Sequence, residues 1–279
     1  MTLPNFLIIG APKAGTTSLY DYLRVHPDVF MPALKEPRFF GYEGAPGTGD
    51  RKKWPVQSWE EYEALFAGAE RAAAVGEATP HYLIYPQAAP RIRKALPEAR
   101  LIASLRNPID RAYSVYQMNL RNKDTNAGIP FARAIETDPN LQEGYHDRLA
   151  RYFDLFPRAQ MKVILLDDLE AAPKRTVQDL FAFLGVDPGF TPDLSRVSNP
   201  GGLPRSRVLH RVLNDRRLRE AARRLLPARA TERLKDLRSR NLQKQAMAPE
   251  DRAAGLRFYE ADIRATERLI GRALSHWPA

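Results

Sequence analysis

The chain has 279 residues and contains no cysteine. This absence excludes a disulfide framework, a thiolate nucleophile and a cysteine-ligated metal site. A long apolar run is also missing at the start. There the residues MTLPNFLIIG carry no basic segment, and their apolar stretch is far too short to cross a bilayer. We therefore expect neither a signal peptide nor a transmembrane segment, and a cytoplasmic protein is the default expectation.

Residues 6–19 are typical of a short apolar strand, a tight loop and the start of a helix. The loop runs Gly10-Ala11-Pro12-Lys13-Ala14-Gly15-Thr16-Thr17. It keeps both glycines of the nucleotide-binding pattern G-x-x-x-x-G-K-[ST], but Thr16 occupies the lysine position and Lys13 stands three residues earlier. Glycines permit the tight turn, and the helix start offers unpaired N–H groups, so the loop is suited to a phosphate.

The displaced lysine narrows the kind of phosphate that this loop, hereafter the phosphate loop, would bind. The usual contact to a triphosphate is missing, so a terminal 5'-phosphate and the group attached to it are favoured over a triphosphate. The alternative is a strand-to-helix turn with no chemical role.

A second phosphate-binding pattern follows the apolar segment Leu101–Leu105, which ends at Arg106. Asn107-Pro108 then ends the strand and starts a helix whose first two turns carry Arg111 and Ser114. The planar fork of arginine binds phosphate oxygens in bidentate fashion, so we expect Arg106 and Ser114 to converge on one phosphate. The alternative is an arginine that pairs with Asp110 or with solvent.

These two patterns resemble the signatures of the sulfotransferase family that uses 3'-phosphoadenosine 5'-phosphosulfate (PAPS). The resemblance implies that Lys13 is catalytic, because it would stabilise the bridging oxygen of the leaving phosphate, and that Arg106 and Ser114 hold the 3'-phosphate. It also implies that the phosphate loop binds the 5'-phosphosulfate through Pro12, Lys13, Ala14, Gly15, Thr16, Thr17 and Ser18.

The predicted fold is α/β and of the P-loop type. Helical stretches separate four apolar segments that are typical of buried parallel strands: Phe6–Ile9, Ala73–Val75, Leu101–Leu105 and Lys162–Leu166. We expect three layers around a central parallel sheet of about four to five strands, with a helical C-terminal region. The expected organisation is a single sulfotransferase domain over residues 1–279. Its α/β core would cover residues 1–200, and a cofactor-covering loop with C-terminal helices would cover 201–279.

Sulfuryl transfer to an alcohol or amine needs a base that takes the acceptor's proton. The segment Gly76-Glu77-Ala78-Thr79-Pro80-His81-Tyr82 resembles the E-K-T-P-x-Y segment of the heparan sulfate N- and O-sulfotransferase branch, with Ala78 in place of the lysine. The resemblance implies that Glu77, in a loop after the second strand, is the catalytic base and that His81 is the reserve candidate. The alternative for Glu77 is a capping or loop carboxylate.

The segment Lys35-Glu36-Pro37-Arg38-Phe39-Phe40 resembles the K-E-x-x-F-F segment of the same branch. The resemblance implies that Lys35 and Arg38 bind the acceptor. It favours a saccharide or a glycolipid as acceptor and leaves a lipid or a small-molecule secondary metabolite open. Transfer would then be a direct in-line displacement that releases 3'-phosphoadenosine 5'-phosphate (PAP). The alternative is a surface loop whose phenylalanines pack into the core.

A small-molecule kinase is the rival interpretation. Val163-Ile164-Leu165-Leu166-Asp167-Asp168 is similar to a strand that ends in a Mg²⁺-binding carboxylate, and ATP with Mg²⁺ would then be bound. The threonine at position 16 argues against it, and no other phosphotransfer pattern is present. The sulfotransferase interpretation assigns no metal to these two aspartates.

The last third of the chain is basic. The loop from Ser198 to Arg207 resembles the family loop that folds over the cofactor, and it makes Arg205 a predicted cofactor contact and Arg207 a weaker one. From Arg205 to Lys244 there are 14 Lys and Arg against 4 Asp and Glu, whereas the rest of the chain is balanced. This basic arm (205–244) is a lid over the cofactor, a peripheral membrane contact or a solvated face.

A basic nucleic-acid-binding module is disfavoured, because no helix-turn-helix, aromatic RNA-binding or zinc pattern accompanies the charge. The segment from Pro249 to Trp277 is predicted to be a final amphipathic helix. The sequence leaves the oligomeric state open.

Overall fold

The computed structural model describes residues 2–122, 128–194, 203–204, 206, 242–243 and 245–277. The chain divides into two compact units. The first comprises Met1–Arg111, Glu143–Ser198 and Tyr259–Ala279, and the second comprises Ala112–Gln142 and Asn199–Phe258. The expectation of a single domain stays a prediction.

The first unit contains a five-stranded parallel sheet. Its strands are β1 (Phe6–Gly10), β2 (Val29–Phe30), β3 (Ala74–Ala78), β4 (Arg100–Leu105) and β5 (Met161–Leu165). They lie in the order β2-β3-β1-β4-β5. Strands β1 and β3 are buried along their whole length, which explains why their sequences do not alternate between apolar and polar residues.

Helices connect the strands among the described residues. They are α1 (Thr16–Leu23), α2 (Trp59–Ala64), α3 (Ala88–Ala95), α4 (Pro108–Asn122), α5 (Phe131–Thr137), α6 (His146–Leu155), α7 (Leu166–Ala171), α8 (Pro173–Leu184) and α9 (Pro249–Ile270). Short 3₁₀ helices lie at Phe39–Gly41, Pro80–Leu83, Pro139–Leu141 and Arg158–Gln160. Among the residues that the structure describes, no helix is both long enough and apolar enough to cross a bilayer.

Both faces of the sheet are covered. On one face, Phe6 and Ile8 belong to an apolar cluster that includes residues of α1 and α8. Side chains alternate along a strand, so Leu7 and Ile9 point the other way, and they are equally buried. The predicted α/β fold with its central parallel sheet is confirmed.

Several boundaries differ from the prediction by one residue or more. Strand β3 continues to Ala78, so Glu77 lies inside the strand rather than in the loop expected at residues 76–82. Gly76 suggests a turn, but its missing side chain makes room for Phe6, whose ring atoms lie 2.4 Å from where a Cβ would be. Leu166 begins α7 instead of ending the last strand, and α9 ends at Ile270 rather than at Trp277. Strand β2 was not predicted, because two residues give no periodic pattern.

The second unit contains part of α4, α5 and the beginning of α9. Tyr113 and Tyr116 of α4 contact the ring of Phe131 on α5. The backbone N–H of Ala132 donates to Asp251 of α9 at 3.1 Å. A short antiparallel pair joins β6 (Leu203–Pro204) to β7 (Leu242–Gln243).

In the first unit, the start of α6 depends on a residue that is distant in sequence. No side chain of α6 or its own N-cap residue caps this helix. Instead, the backbone N–H groups of Tyr145 and His146 donate to the carboxylate of Asp262 on α9, at 2.8 to 3.0 Å. An acidic group at this position satisfies free N–H groups and faces the positive end of the helix dipole.

Replacing this cap should destabilise the protein measurably. We expect Asp262→Ala to lower the free energy of unfolding by about 1–2 kcal/mol, as the loss of a helix cap does. Urea denaturation followed by circular dichroism measures the change. The matched control is Glu260→Ala on the same helix. It removes an exposed pair with Arg264, which we expect to contribute at most ~0.5 kcal/mol. Equal losses in the two variants would contradict the capping role.

Candidate active site

The phosphate loop connects the end of β1 to the start of α1, and Ser104 on the neighbouring strand β4 fixes its shape. The backbone N–H of Ala11 donates to the carbonyl of Ser104 at 2.7 Å. The hydroxyl of Ser104 donates back to the carbonyl of Ala14 at 2.5 Å. Ser104 is fully buried. Both halves of the loop are therefore attached to the strand that ends at Arg106.

The conformation of the phosphate loop matches the requirements of a phosphate site. Lys13 and Gly15 have φ angles of 68° and 78° in the left-handed region. For the non-glycine Lys13 this costs about 1–3 kcal/mol, a strain that is typical of functional sites. A Cβ on Gly15 would lie 2.8 Å from Leu166, and its φ angle is one that side chains disfavour, so glycine is favoured there. The first turn of α1 contains no acidic residue and no side-chain cap, which leaves its N–H groups suited to an anion.

Arg106 follows β4, and its backbone is held on both sides. Its N–H donates to the hydroxyl of Tyr145 at 3.3 Å, and the same hydroxyl donates to the carbonyl of Arg106 at 2.8 Å. The next residue, Asn107, accepts from the N–H of Ile109 at 3.0 Å and donates to the carbonyl of Trp277. The guanidinium of Arg106 thus extends from a fixed backbone at the carboxyl edge of the sheet.

The helix after Arg106 carries two further polar residues of the predicted motif. Arg111 is buried, and it pairs with Glu143 at 2.8 Å, so its role is structural. Ser114 lies in the second turn of α4 and belongs to the second unit. Its convergence with Arg106 on one phosphate stays a prediction.

Lys35, Glu36, Arg38 and His81 form a group with Thr17 of α1, hereafter the Glu36 cluster. Lys35 Nζ donates to Thr17 Oγ1 at 3.0 Å and lies 3.5 Å from Glu36 Oε1. Glu36 Oε2 accepts from Arg38 at 2.9 Å and lies 3.6 Å from His81 Nδ1. Three residues predicted from two separate segments, Lys35 and Arg38 from one and His81 from the other, therefore surround one carboxylate.

Glu36 was not among the predicted site residues. The signal that was available is an acid between two bases, Lys35 and Arg38, in a segment with a proline. Burial tends to raise the pKa of Glu36, but the hydrogen bond from Arg38 and the nearby charges of Lys35 and His81 outweigh it, so the pKa is lowered. Glu36 is therefore an anion at neutral pH.

Glu77 on β3 has no exposed surface. One carboxylate oxygen accepts from the hydroxyl of Thr79 at 2.9 Å, and Oε1 has no hydrogen-bond partner among the described residues. Burial raises the pKa of Glu77 to about 7 against the opposing effect of nearby hydroxyl groups, including those of Tyr82 and Thr79. A carboxyl with this pKa exchanges its proton near neutral pH.

His81 is half-buried beside the same segment. Burial, followed by the charge of Arg38, lowers its pKa to about 4 despite the opposing charge of Glu36. The imidazole is therefore neutral at pH 7 and a weak base. Of the two predicted bases, Glu77 has the pKa that proton transfer near neutral pH favours.

A sequence model described as "Sulfotransferase family" matches residues 4–192. The chain belongs to the sulfotransferase family. The match spans β1 to β5, and so includes the phosphate loop, the Glu36 cluster, Glu77 and Arg106.

Curated sulfotransferases are similar over parts of their length. "Membrane-associated sulfotransferase kil1" of Dictyostelium discoideum is 34% identical over 160 residues, which are 56% of this chain and 32% of that protein. "Bifunctional heparan sulfate N-deacetylase/N-sulfotransferase 3" of Mus musculus is 29% identical over 211 residues, which cover 67% of this chain and 23% of that protein. "Carbohydrate sulfotransferase 15" of Mus musculus is 27% identical over 249 residues, which cover 67% of this chain and 44% of that protein. The chain thus spans less than half the length of these relatives.

Solved sulfotransferase structures share the fold. The crystal structure of a sulfotransferase from Alicyclobacillus acidocaldarius has a TM-score of 0.74 and 31% identity, and the match covers 100% of both chains. Mouse sulfotransferase SULT7A1 complexed with PAP has a TM-score of 0.56 and 13% identity, over 96% of this chain and 89% of that one. The second likeness concerns the fold alone.

The two aspartates that suggested a kinase bond to residues of the C-terminal segment. Asp167 accepts from the indole N–H of Trp277 at 3.0 Å. Asp168 pairs with Arg272 through both oxygens, each at 2.5 Å. These carboxylates therefore hold the end of the chain against α7.

The structure places four of the residues that the sequence singled out at one edge of the sheet. Lys13, Glu77, Arg106 and Asp167 lie at or just beyond the carboxyl ends of β1, β3, β4 and β5. Their roles stay predictions, as do those of Lys35 and Arg38. Arg205 and Arg207, and with them most of the basic arm, lie outside the described residues.

The raised pKa of Glu77 predicts a pH-dependent stability. The folded state keeps this proton up to about pH 7, whereas an ordinary glutamate loses it near 4.5. The stability from Glu77 is therefore full below pH 4.5 and is lost as the pH rises to about 7. The loss is on the order of 3 kcal/mol.

We expect the free energy of unfolding of Glu77→Gln to change less between pH 4.5 and 7 than that of the wild type, since glutamine does not ionise. Urea denaturation at a series of pH values between 4.5 and 8 measures this free energy. Glu98→Gln, at an exposed position, should retain the wild-type profile. A wild-type profile in Glu77→Gln would show that this carboxyl has an ordinary pKa.

Proposed function

We propose that this chain is a PAPS-dependent sulfotransferase that transfers a sulfuryl group to a hydroxyl or amine of a saccharide or glycolipid. The observation that carries the proposal is a phosphate loop whose lysine is at position 13 rather than 16, and which Ser104 attaches to the strand that ends at Arg106. Strand β4 thereby holds both the phosphate loop and Arg106. In the proposal these two groups bind different anionic parts of one ligand.

The donor side fits the chemistry of PAPS. Its 5'-phosphosulfate requires N–H donors and a cation, which the uncapped start of α1 and Lys13 supply. Its 3'-phosphate requires a separate cation, for which Arg106 is available. When bound, PAPS supplies an activated sulfuryl group and a phosphate as the leaving group. The mouse structure with PAP shows that a protein of this fold holds such a nucleotide.

On the acceptor side, Glu77 takes the proton of the attacking hydroxyl or amine. Its pKa of about 7 suits this role, whereas the pKa of His81, about 4, makes the imidazole a weaker base. The carboxyl is covered, and the N–H groups of Glu36 and Arg38 bond to Ala78 and Thr79 directly after it. Acceptor binding therefore has to displace this segment or the tyrosines around the carboxyl.

The names of the relatives support a saccharide acceptor, since two of them are carbohydrate and heparan sulfate enzymes. The name of the Dictyostelium relative includes membrane association. A peripheral membrane contact through the basic arm and a cytoplasmic location both stay predictions for this chain.

The kinase alternative is disfavoured by the same site. Asp167 and Asp168 bond to Trp277 and Arg272, so a metal ion would have to compete with these contacts. Thr16 stands where a kinase loop has its lysine.

Calorimetric titration with PAP, and separately with ATP plus Mg²⁺, tests the donor assignment. We expect PAP to bind, and Arg106→Ala to weaken its binding about 10- to 100-fold through the loss of a charged hydrogen bond.

Tyr145→Phe should also weaken PAP binding, because it releases the backbone of Arg106. Tyr42→Phe is the matched control, since its hydroxyl also donates to a backbone carbonyl. Binding of ATP with Mg²⁺ but not of PAP would overturn the proposal.

Turnover with labelled PAPS and a desulfated, N-deacetylated heparin oligosaccharide, which offers both hydroxyls and amines, tests the base. We expect Glu77→Gln to lower kcat by about 10²- to 10⁴-fold while PAP affinity is retained. His81→Asn should have a smaller effect. If Glu77→Gln turns over like the wild type and His81→Asn does not, the role of base belongs to His81.

A further inference from the structure

The Glu36 cluster joins the donor and acceptor sides of the site through one carboxylate. Each oxygen of Glu36 faces a different partner: Oε1 lies 3.5 Å from Lys35, and Oε2 lies 2.9 Å from Arg38 and 3.6 Å from His81. Lys35 in turn donates to Thr17, at the start of α1. A continuous chain of polar contacts therefore connects the phosphate loop to His81.

The charges in this cluster require the carboxylate. The side chains of Lys35 and Arg38 are only 21% and 23% exposed. Two largely buried cations that contact the same carboxylate would, without it, repel each other with little screening from solvent. The anion between them removes this repulsion and fixes the direction of both side chains.

The backbone of the segment is held in a conformation that non-glycine residues rarely adopt. Glu36 and Arg38 have φ angles of 60° and 59°, on either side of Pro37. The N–H of Glu36 donates to the carbonyl of Ala78 at 3.0 Å, and that of Arg38 to the hydroxyl of Thr79 at 3.3 Å. Strained backbone that neighbouring structure maintains is typical of functional sites.

We propose that Glu36 is a positioning residue, which directs Lys35 onto the phosphate loop and holds Arg38 beside His81. This inference rests on the proposed function for the role of Lys35 toward the donor. Glu36 acts through its two cations and has no direct part in proton transfer, since its charge is already balanced.

A double-mutant cycle on PAP affinity tests the donor half. We expect Lys35→Met and Glu36→Gln each to weaken PAP binding by about 10-fold. If Glu36 acts through Lys35, the double variant should lose no more than Lys35→Met alone. Glu36→Asp, which keeps the charge, should restore part of the affinity. The control Glu61→Gln removes a comparable pair with Arg51 outside the cluster, and it should bind PAP like the wild type.

Titration of the His81 imidazole by NMR, without any ligand, tests the part of the proposal that concerns Arg38 and His81. The groups around the ring are Glu36, Arg38 and Lys35, with Tyr85 stacked on it. Removing the carboxylate in Glu36→Gln should lower the midpoint of His81, whereas Glu61→Gln should leave it unchanged.

The outcomes separate this inference from the proposed function. Failure of the wild type to bind PAP would overturn the proposed function, while the His81 titration would still test the cluster. Wild-type PAP affinity in Glu36→Gln, additive losses in the cycle, or an unchanged His81 midpoint would overturn the positioning role.

Discussion

The candidate site depends on the parallel pairing of β1 with β4. This register places the end of β1 beside Ser104, so that one buried side chain and its backbone carbonyl hold both halves of the phosphate loop. Two residues after Ser104, Arg106 directly follows the end of the same strand. Because parallel strands end at the same edge of a sheet, the loop and the arginine lie at that same edge. A loop attached only at its ends would not hold Lys13 in a strained conformation.

The carboxylates near this edge differ in state because their surroundings differ. Glu77 is surrounded by aromatic side chains, so burial dominates and its pKa rises. Glu36 is also largely covered, yet two cations and a histidine keep it ionised. Asp167 and Asp168 are occupied by the C-terminal segment. Three environments thus give one carboxyl with a pKa of about 7, one anion balanced by two cations and two carboxylates in structural contacts.

The end of the chain stabilises the site from a distance in sequence. Asp262 caps the helix that carries Tyr145, and Tyr145 holds the backbone of Arg106. Trp277 bonds to both Asn107 and Asp167. These contacts lie at the ends of β4 and β5. Loss of Trp277 would therefore release the side chain of Asn107, which is next to the proposed 3'-phosphate contact Arg106.

The sequence by itself determined the fold class, the phosphate loop and the strand that ends at Arg106, because glycine spacing and apolar runs depend on local geometry. It did not show that Glu77 lies within a strand, since Gly76 resembles a turn until Phe6 packs against it. Only the tertiary structure decided that Lys35, Arg38 and His81 meet at Glu36, and that the two aspartates are occupied. His81 is distant from Glu36 in sequence, and Trp277 and Arg272 are distant from the two aspartates, so no local pattern encodes these contacts.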